Sequence, residues 1–394
     1  MKDESWNMIY LFSLTFVIAT GVNLSIPLIP LYLRDLGADV FQISVVMSVA
    51  GLFSTFLTYL GGFFSDRYGR KLSIILAILL SAFSPFMYTF SKTWVEMIPW
   101  VVLFNTSLAF FGPARVAYIA DTVDVRELGK IYGLMNMAWP LGGMVGPFLG
   151  GYLSDVYGWN ASFYFVSLIS VISILPAYLL QGRRRSEVGE IEEESPCEED
   201  SNMRTLVMFF FIALLISIGI DATRPLIPLY LSNIFQLSKT DIGFFFTLSF
   251  GVTTLITQIS ASMVLKRYGS KRAMLHSVLL IPIAFILLPW IADYNLLILD
   301  YMVINSLWSV TWPTSMDLLM RCVPRGSRGS AAGIRQTGIR LGGAIGPLVG
   351  AYLWEILGFS FSFYSSAVAF ALCAPLVILI EEPRLRALQK SSTQ

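Results

Sequence analysis

Charge is scarce in this 394-residue chain. Asp, Glu, Lys and Arg make up 13% of it against 55% apolar residues, where soluble domains carry about 25% charge. With a mean hydropathy of +0.68, the composition excludes an ordinary soluble fold and points to an integral membrane protein. Histidine occurs once, as His276, and cysteine three times, as Cys197, Cys322 and Cys373. An odd number of scattered thiols excludes a disulfide framework, and one His with three such Cys offers no metal-ligand set and no catalytic constellation. No Gly-x-x-x-x-Gly-Lys-Ser/Thr loop is present to cradle ATP. The chain is therefore not expected to be an enzyme, to hold a metal or cofactor, or to bind nucleic acid. A net charge of +1 says little about partners, because the charges are segregated by loop.

Long apolar runs are what the chain does have. Runs of about 20 residues, the length that spans the bilayer core, number twelve: 6–33, 41–65, 72–90, 95–120, 131–153, 160–181, 205–232, 241–265, 273–291, 295–320, 330–354 and 360–380. The first exceeds a signal-peptide core and ends in no small-residue cleavage site, so it is expected to remain in the mature protein. One connection is long. It opens with Arg183, Arg184 and Arg185 and carries eight carboxylates between Glu187 and Asp200, the composition of a disordered acidic tether. The expected organisation is a six-helix bundle over 1–181, a cytoplasmic linker over 182–204, and a second six-helix bundle with a short cytoplasmic tail over 205–394.

The halves repeat each other. Pro-Leu-Ile-Pro-Leu-Tyr-Leu stands at 27–33 and again at 225–231. At an offset of 200, Arg67-Tyr68-Gly69 returns as Arg267-Tyr268-Gly269, Asn105 as Asn305, Pro113 as Pro313, and Leu141-Gly142-Gly143-x-x-Gly146-Pro147 as Leu341-Gly342-Gly343-x-x-Gly346-Pro347. Duplicated six-helix units predict two bundles related by an axis along the membrane normal. If the N-terminus is inside, twenty of the 27 Lys and Arg lie on that side and three, Arg34, Lys92 and Lys239, lie outside. Both termini are then cytoplasmic.

The turn between the second and third runs, Gly62-Phe-Phe-Ser-Asp66-Arg67-Tyr68-Gly69-Arg70-Lys71, concentrates charge that lipid could not hold. At every fixed position it resembles the signature between helices 2 and 3 of the major facilitator superfamily of secondary transporters. That resemblance implies an all-α fold of twelve transmembrane helices in which helices 1, 4, 7 and 10 line a central cavity. It also implies a conformational latch in which Asp66 caps helix 11 while Arg70 pairs with Asp121. The glycine pattern Gly142-x-x-x-Gly146-Pro147-x-x-Gly150-Gly151 builds a groove for close helix contact and resembles the helix 5 motif of the superfamily's drug–proton antiporters. Two departures stand against that branch: the first span has no acid, and Val101 and Val102 occupy the place of its helix 4 Arg.

Charges inside spans are costly and usually face a cavity or a partner. Here they are Arg115, Asp221 with Arg224, Asp300 with Asp317, and Arg335 with Arg340. Spans 3, 6 and 12 have none, and span 9 has only His276, so those four are expected to face lipid. Asp221 and Arg224, three apart, share a helical face with Ser217. They read either as a structural ion pair or as a proton-coupling site governed by Arg224 and by water access, with Asp300 next in line. Asn23 is the repeat-mate of Asp221. On span 10, Tyr301, Asn305, Trp308 and Trp312 stack on one face; on span 4, Asn105 and Arg115 do. Arg340, with Gln336 one turn below, has no acid on its own helix and reaches Asp221 or Asp300 or awaits an anionic group. Asp317, four before Arg321, reads as a structural pair. The leading expectation is a monomeric, proton-coupled exporter of amphipathic organic molecules in the cell membrane. The alternatives are a carrier of a small anionic metabolite and a non-transporting receptor or lipid-handling scaffold.

Overall fold

A computed structural model describes residues 2–124, 127–181, 203–324 and 327–380, with backbone only for 2–5, 261 and 262. The acidic run of the expected linker and the C-terminal tail lie outside the described residues. Twelve helical segments carry the described chain: α1 Lys2–Asp35, α2 Val40–Tyr68, α3 Arg70–Tyr88, α4 Trp94–Thr122, α5 in two pieces Leu128–Asn136 and Ala138–Tyr157, and α6 in two pieces Trp159–Ile172 and Ile174–Leu179. The second repeat begins with α7, in two pieces Met203–Asp221 and Leu226–Ile234. It continues with α8, which is Lys239–Phe246, a π-helical turn Thr247–Val252 and Thr253–Tyr268. Then follow α9 Ser270–Leu287, α10 Tyr294–Cys322, α11 Arg328–Leu357 and α12 Phe359–Leu379.

Nine spans among the described residues are long and apolar enough to cross a bilayer. The others are α5, rich in glycine and proline, and α10 and α11, which carry Asp300, Asp317, Arg321, Arg335 and Arg340. Helix starts follow local chemistry. Asp39 and Gln42 form a capping box on α2, and Thr93 and Asp293 accept from backbone N–H groups at the starts of α4 and α10. The hairpins into α3 and α9 turn through Gly69 and Gly269 at φ +99° and +73°, a conformation that a side chain would resist. Large apolar side chains stay uncovered on α3, α6, α9 and α12, among them Phe83, Leu168, Ile283 and Leu372, the surface lipid would wet.

The described chain packs as two units. The first draws on Met1–Val188 and Pro225–Leu255, the second on Gly189–Arg224 and Ile256–Gln394. In the first, α1 lies along α5, and α4 packs on α2 and α3, around a core that includes Leu11, Leu14, Ile74, Ile78, Phe111 and Tyr118. In the second, the Met203–Asp221 piece of α7 lies along α11, and α9 packs on α10 and α12.

Glycine sets both close crossings. A Cβ on Gly142 would lie 2.6 Å from Thr20 N, and one on Gly146 2.8 Å from Leu24 N. In the other unit a Cβ on Gly342 would lie 2.5 Å from the Leu214 carbonyl, and one on Gly346 2.9 Å from Ala222 N. The Ser162 and Ser362 hydroxyls then donate to the Gly150 and Gly350 carbonyls at 2.8 and 2.6 Å, the same bond in each repeat.

The seventh span, expected as one continuous run over 205–232, is broken between Asp221 and Leu226. Pro225 has no N–H to return to the Asp221 carbonyl and its ring crowds that turn, so Arg224 sits in the break and not on the helix. The break does not follow from sequence alone, since α1 carries the same Pro-Leu-Ile-Pro and runs through it without interruption.

The packing makes a direct prediction. Gly342→Ala forces a methyl into the Leu214 carbonyl, whereas a methyl on Gly62 meets open space. In thermal unfolding of purified protein, Gly342→Ala should lose about 1–3 kcal/mol, the usual overpacking penalty, and Gly62→Ala should change almost nothing.

Candidate functional site

The charged hairpin resolves into two functions. Arg70 gathers two carboxylates: its Nη1 donates to Asp66 and its Nε to Asp121 Oδ2 at 3.1 Å. Asp66 is the most exposed of the three and Arg70 the least. Arg67 lies over the Tyr68 ring. Lys71 turns away from the carboxylates and donates to the Tyr178 carbonyl at the end of α6. Its repeat-mate Lys271 donates to the Ile378 and Ile380 carbonyls at 2.9 and 2.6 Å. A lysine closing the last carbonyls of a helix satisfies orphan acceptors and complements the helix dipole. The part of the signature that recurs in the second repeat, Arg-Tyr-Gly-x-Lys, therefore holds architecture. The part that does not recur, Asp66, Arg70 and Asp121, is the ion cluster. In its place the second repeat has Asp317 taking bonds from Ser270 and from Arg321 Nε, the latter at 2.7 Å. Ser327, the N-cap of α11, makes no side-chain capping bond.

Within the seventh span, Asp221 closes the first piece of α7. Its Oδ2 accepts from Ser217 Oγ at 2.8 Å, and its Oδ1 lies 3.6 Å from Arg224 Nη1. Ser217 Oγ also stands 2.8 Å from the Ile339 carbonyl of α11, an alternative acceptor for its single hydrogen. Room for the carboxylate comes from Gly343, where an added Cβ would stand 3.3 Å from Asp221 Oδ2. Tyr301, buried on α10, is within electrostatic reach of both charges. Asp300 is half-buried, and its Oδ2 is buried with no hydrogen-bond partner.

The asparagines serve their own helices. Asn23, Asn105 and Asn305 each donate Nδ2 to the carbonyl four residues back, Ala19, Val101 and Tyr301, at 2.8 to 2.9 Å. Asn23 Oδ1 remains buried without a partner. Trp308 is half-buried and Trp312 exposed, so the expected aromatic face grades from a buried end at Tyr301 to an open end at Trp312. Arg115 donates to Asn136 Oδ1 at 3.2 Å. Arg340 and Gln336 are half-buried, and Arg340 forms no ion pair with any carboxylate among the described residues. Of its expected alternatives, the reach to Asp221 or Asp300 is not made.

The glycine motif of α5 faces two ways. Gly142, Gly146 and Gly150 abut α1, while Gly143 and Gly151 abut α8, and the Pro147 carbonyl meets the backbone at Gly243. The π-helical turn of α8 falls where Gly251 crosses Gly143, so backbone meets backbone there. At the end of this seam Asp155 Oδ2 accepts from Thr240 N and Oγ1 at 2.7 and 2.6 Å, and Oδ1 from Lys239 N at 3.3 Å. One carboxylate on α5 thus caps the start of α8. Lys239 Nζ stands 4.2 Å over the Trp159 ring, and Arg34 Nη1 reaches Ser232 and Asn233 at 2.9 and 3.0 Å. Sequence reasoning passed over Asp155, Gly61, whose Cβ would strike the Ala109 backbone, and Ser315. A signal existed for the first: Asp155 is the one acid in the loop after the fifth run, as the second repeat's Glu355 is after the eleventh.

Paired helical repeats, a lipid-wetted outer surface and ionisable groups held inside the spans define a multi-pass membrane transporter. The chain belongs to the Major Facilitator Superfamily, whose profile matches residues 11–206 and 209–394. It is 24% identical to multidrug resistance protein 1 of Bacillus subtilis, over 97% of this chain and 98% of that one. It is likewise 24% identical to the quinolone resistance protein NorA of Staphylococcus aureus, over 93% and 94%. Among solved structures, a D-xylose–proton symporter superposes with a TM-score of 0.77 at 16% identity, covering 95% of this chain and 98% of that one. The human organic anion transporter MFSD10 superposes at 0.69 and 18%, covering 95% and 99%. At such identities the structures show the fold.

The ion cluster is open to test. Arg70→Gln leaves Asp66 and Asp121 facing each other uncompensated, so it should reduce flux in membrane vesicles several-fold. Adding Asp121→Asn should recover part of it by removing the repulsion. An Arg70→Gln protein with wild-type flux would show that the cluster is only a solvated charge patch.

Proposed function

We propose that this transporter is a proton-coupled exporter of amphipathic organic molecules, working by alternating access as a monomer in the cell membrane with both termini cytoplasmic. The observation that carries the reading is the Asp221–Arg224 pair at the break of α7, with Ser217 Oγ donating to Asp221 and standing 2.8 Å from the Ile339 carbonyl of α11. The carboxylate is 20% exposed and the guanidinium 39%, so the pair is withdrawn from bulk water yet within reach of it. Protonating Asp221 removes half of the pair and releases Arg224 to another anion or to water, which shifts the balance between conformers. The names of the multidrug and quinolone resistance relatives support organic molecules as cargo. The excess of Lys and Arg on one face supports the orientation. Two bundles, 1–181 and 205–394, joined through 182–204, would be the moving parts, with Asn105, Arg115, Asn305, Trp308, Trp312, Gln336 and Arg340 lining the cargo's path.

A second reading has an observation of its own. Arg115, Arg335 and Arg340 have no carboxylate partner among the described residues, against one such acid, Asp300. An interior with surplus guanidinium favours cargo that brings a negative charge.

Proton coupling through Asp221 predicts a split phenotype. In proteoliposomes, Asp221→Asn, which resembles the protonated state, should still exchange labelled cargo down its gradient but should not accumulate it when a pH difference is imposed. Full pH-driven accumulation by the variant would move the coupling to Asp300 or to another ion. If the variant does not fold, the neutral pair Asp221→Asn with Arg224→Gln should restore folding only if the pair is structural.

Alternating access also requires the Asp155 seam to part. Asp155→Ala removes the acceptor that caps α8, so a cysteine introduced at Met144, whose carbonyl accepts from Thr247 at 3.1 Å, should be labelled several-fold faster by an impermeant thiol reagent. Equal labelling rates would mean that the seam does not gate the path.

A further inference from the structure

Among the described residues Arg335 is the one charged side chain that is more than nine-tenths buried, at 6% exposure. Its surroundings do not neutralise it. Nε and Nη2 both donate to Ser315 Oγ, at 3.2 and 2.7 Å, and the guanidinium carbon stands 5.0 Å from the centroid of the Trp312 ring. Ser315 Oγ in turn donates to the Trp312 carbonyl at 3.1 Å. Among the described residues no carboxylate lies within ion-pair distance. A hydroxyl and a ring face hold a guanidinium in place, yet they leave its full positive charge in a medium that penalises it, so the arrangement is complete only with an anion.

One edge of the guanidinium is left over. Ser315 takes the Nε and Nη2 side of the fork, and the end-on edge, Nη1 with the second hydrogen of Nη2, is without a partner among the described residues. Two parallel N–H groups on that edge match the two oxygens of a carboxylate. Beside it Trp312, which holds the guanidinium on its ring face, is 51% exposed and gives an apolar body something flat to lie against. Gln336 and Arg340, on the same helix as Arg335, are half-buried, and Arg340 adds a second positive charge.

We propose that Arg335, Ser315 and Trp312 form a recognition subsite for the carboxylate of an amphipathic organic acid, with the acid's ring or chain packed against Trp312. The subsite deepens the exporter reading by naming the charge of the cargo's head group, and so rests on it. Arg335 supplies the fork, Ser315 fixes its orientation, and Trp312 supplies contact area. A cationic cargo would meet repulsion here, and a neutral ester would lose the two charge-assisted bonds.

The test is equilibrium binding to purified full-length protein in lipid nanodiscs, using 1-naphthoate, its methyl ester and 1-naphthylmethylammonium as probes of matched ring. The wild type should bind the carboxylate at least tenfold more tightly than the ester and the ammonium least. Arg335→Gln should abolish that preference while leaving ester affinity within about twofold. Arg335→Lys, which keeps charge but loses the fork, should fall between. Wild-type protein that binds ester and carboxylate equally overturns the proposal, as does an Arg335→Gln protein that keeps the preference. If Arg335→Gln does not fold, Ser315→Ala decides: the fork loses its orienting partner, and the preference should drop several-fold or the subsite is not here. Failure of the exporter reading would look different, as carboxylate selectivity in binding with no pH-driven flux of the same probe in proteoliposomes.

Discussion

Everything in this molecule depends on how closely helix backbones approach one another at glycine. In a bilayer, apolar side chains gain little by leaving lipid for protein, so helices associate through van der Waals contact over close-fitting surfaces. Gly142 and Gly146 bring α5 onto the backbone of α1, and Gly342 and Gly346 bring α11 onto α7. Beside each crossing a hydroxyl, Ser162 or Ser362, donates to the Gly150 or Gly350 carbonyl, adding the same interhelical hydrogen bond to both repeats. The same contact has a chemical consequence one residue along. Because Gly342 seats α11 against α7, Gly343 faces Asp221 and leaves the space its carboxylate occupies. Packing and the ionisable site are one piece of construction.

Much of this was legible in the sequence, and the reason is periodicity. Twelve apolar runs and a repeat at an offset of 200 follow from the order of residues along the chain, and so does the helix-pair logic of Gly142, Gly146 and Gly150. Pairings between distant segments were less legible. That Lys71 serves the end of α6, and Lys271 the end of α12, depends on tertiary contacts across 107 and 109 residues of chain. That Asp155 caps α8 depends on where two loops meet, which no spacing states. Arg335 and Arg340 looked alike as buried arginines on one span, five residues apart. The structure separates them by surroundings, one pinned to Ser315 and Trp312 and the other half-open.

The break in α7 shows where local rules stop deciding. Pro-Leu-Ile-Pro occurs in α1 and α7, and only α7 opens. A proline removes one hydrogen bond and crowds one turn in either place. The four residues ahead of the motif, 23–26 and 221–224, differ at every position, and among them is the one whose carbonyl loses its partner: Asn23 before Pro27 and Asp221 before Pro225. Asn23 can bond its own helix, and does so to Ala19, which reinforces the turn. A carboxylate has no N–H to give. Asp221 turns instead to Ser217 and Arg224, and Arg224, displaced from the helix, becomes free to hold it.

That contrast generalises to how the two repeats differ. Packing positions are kept: Gly142 with Gly342, Gly146 with Gly346, Ser162 with Ser362, Lys71 with Lys271. Charge positions are not: Asn23 stands opposite Asp221, Asp66 opposite Lys266, Arg70 opposite Ser270, Asp121 opposite Arg321. A duplicated bundle with duplicated charges would present the same ion pairs on both sides of its pseudo-axis, and protonation would act on both alike. The interior acid-base pair Asp221–Arg224 therefore belongs to the second repeat and the Asp66–Arg70–Asp121 cluster to the first. Seating helix on helix constrains both copies alike, so its glycines and serines recur, whereas a charge inside a span must be matched to its own surroundings and is free to differ between copies.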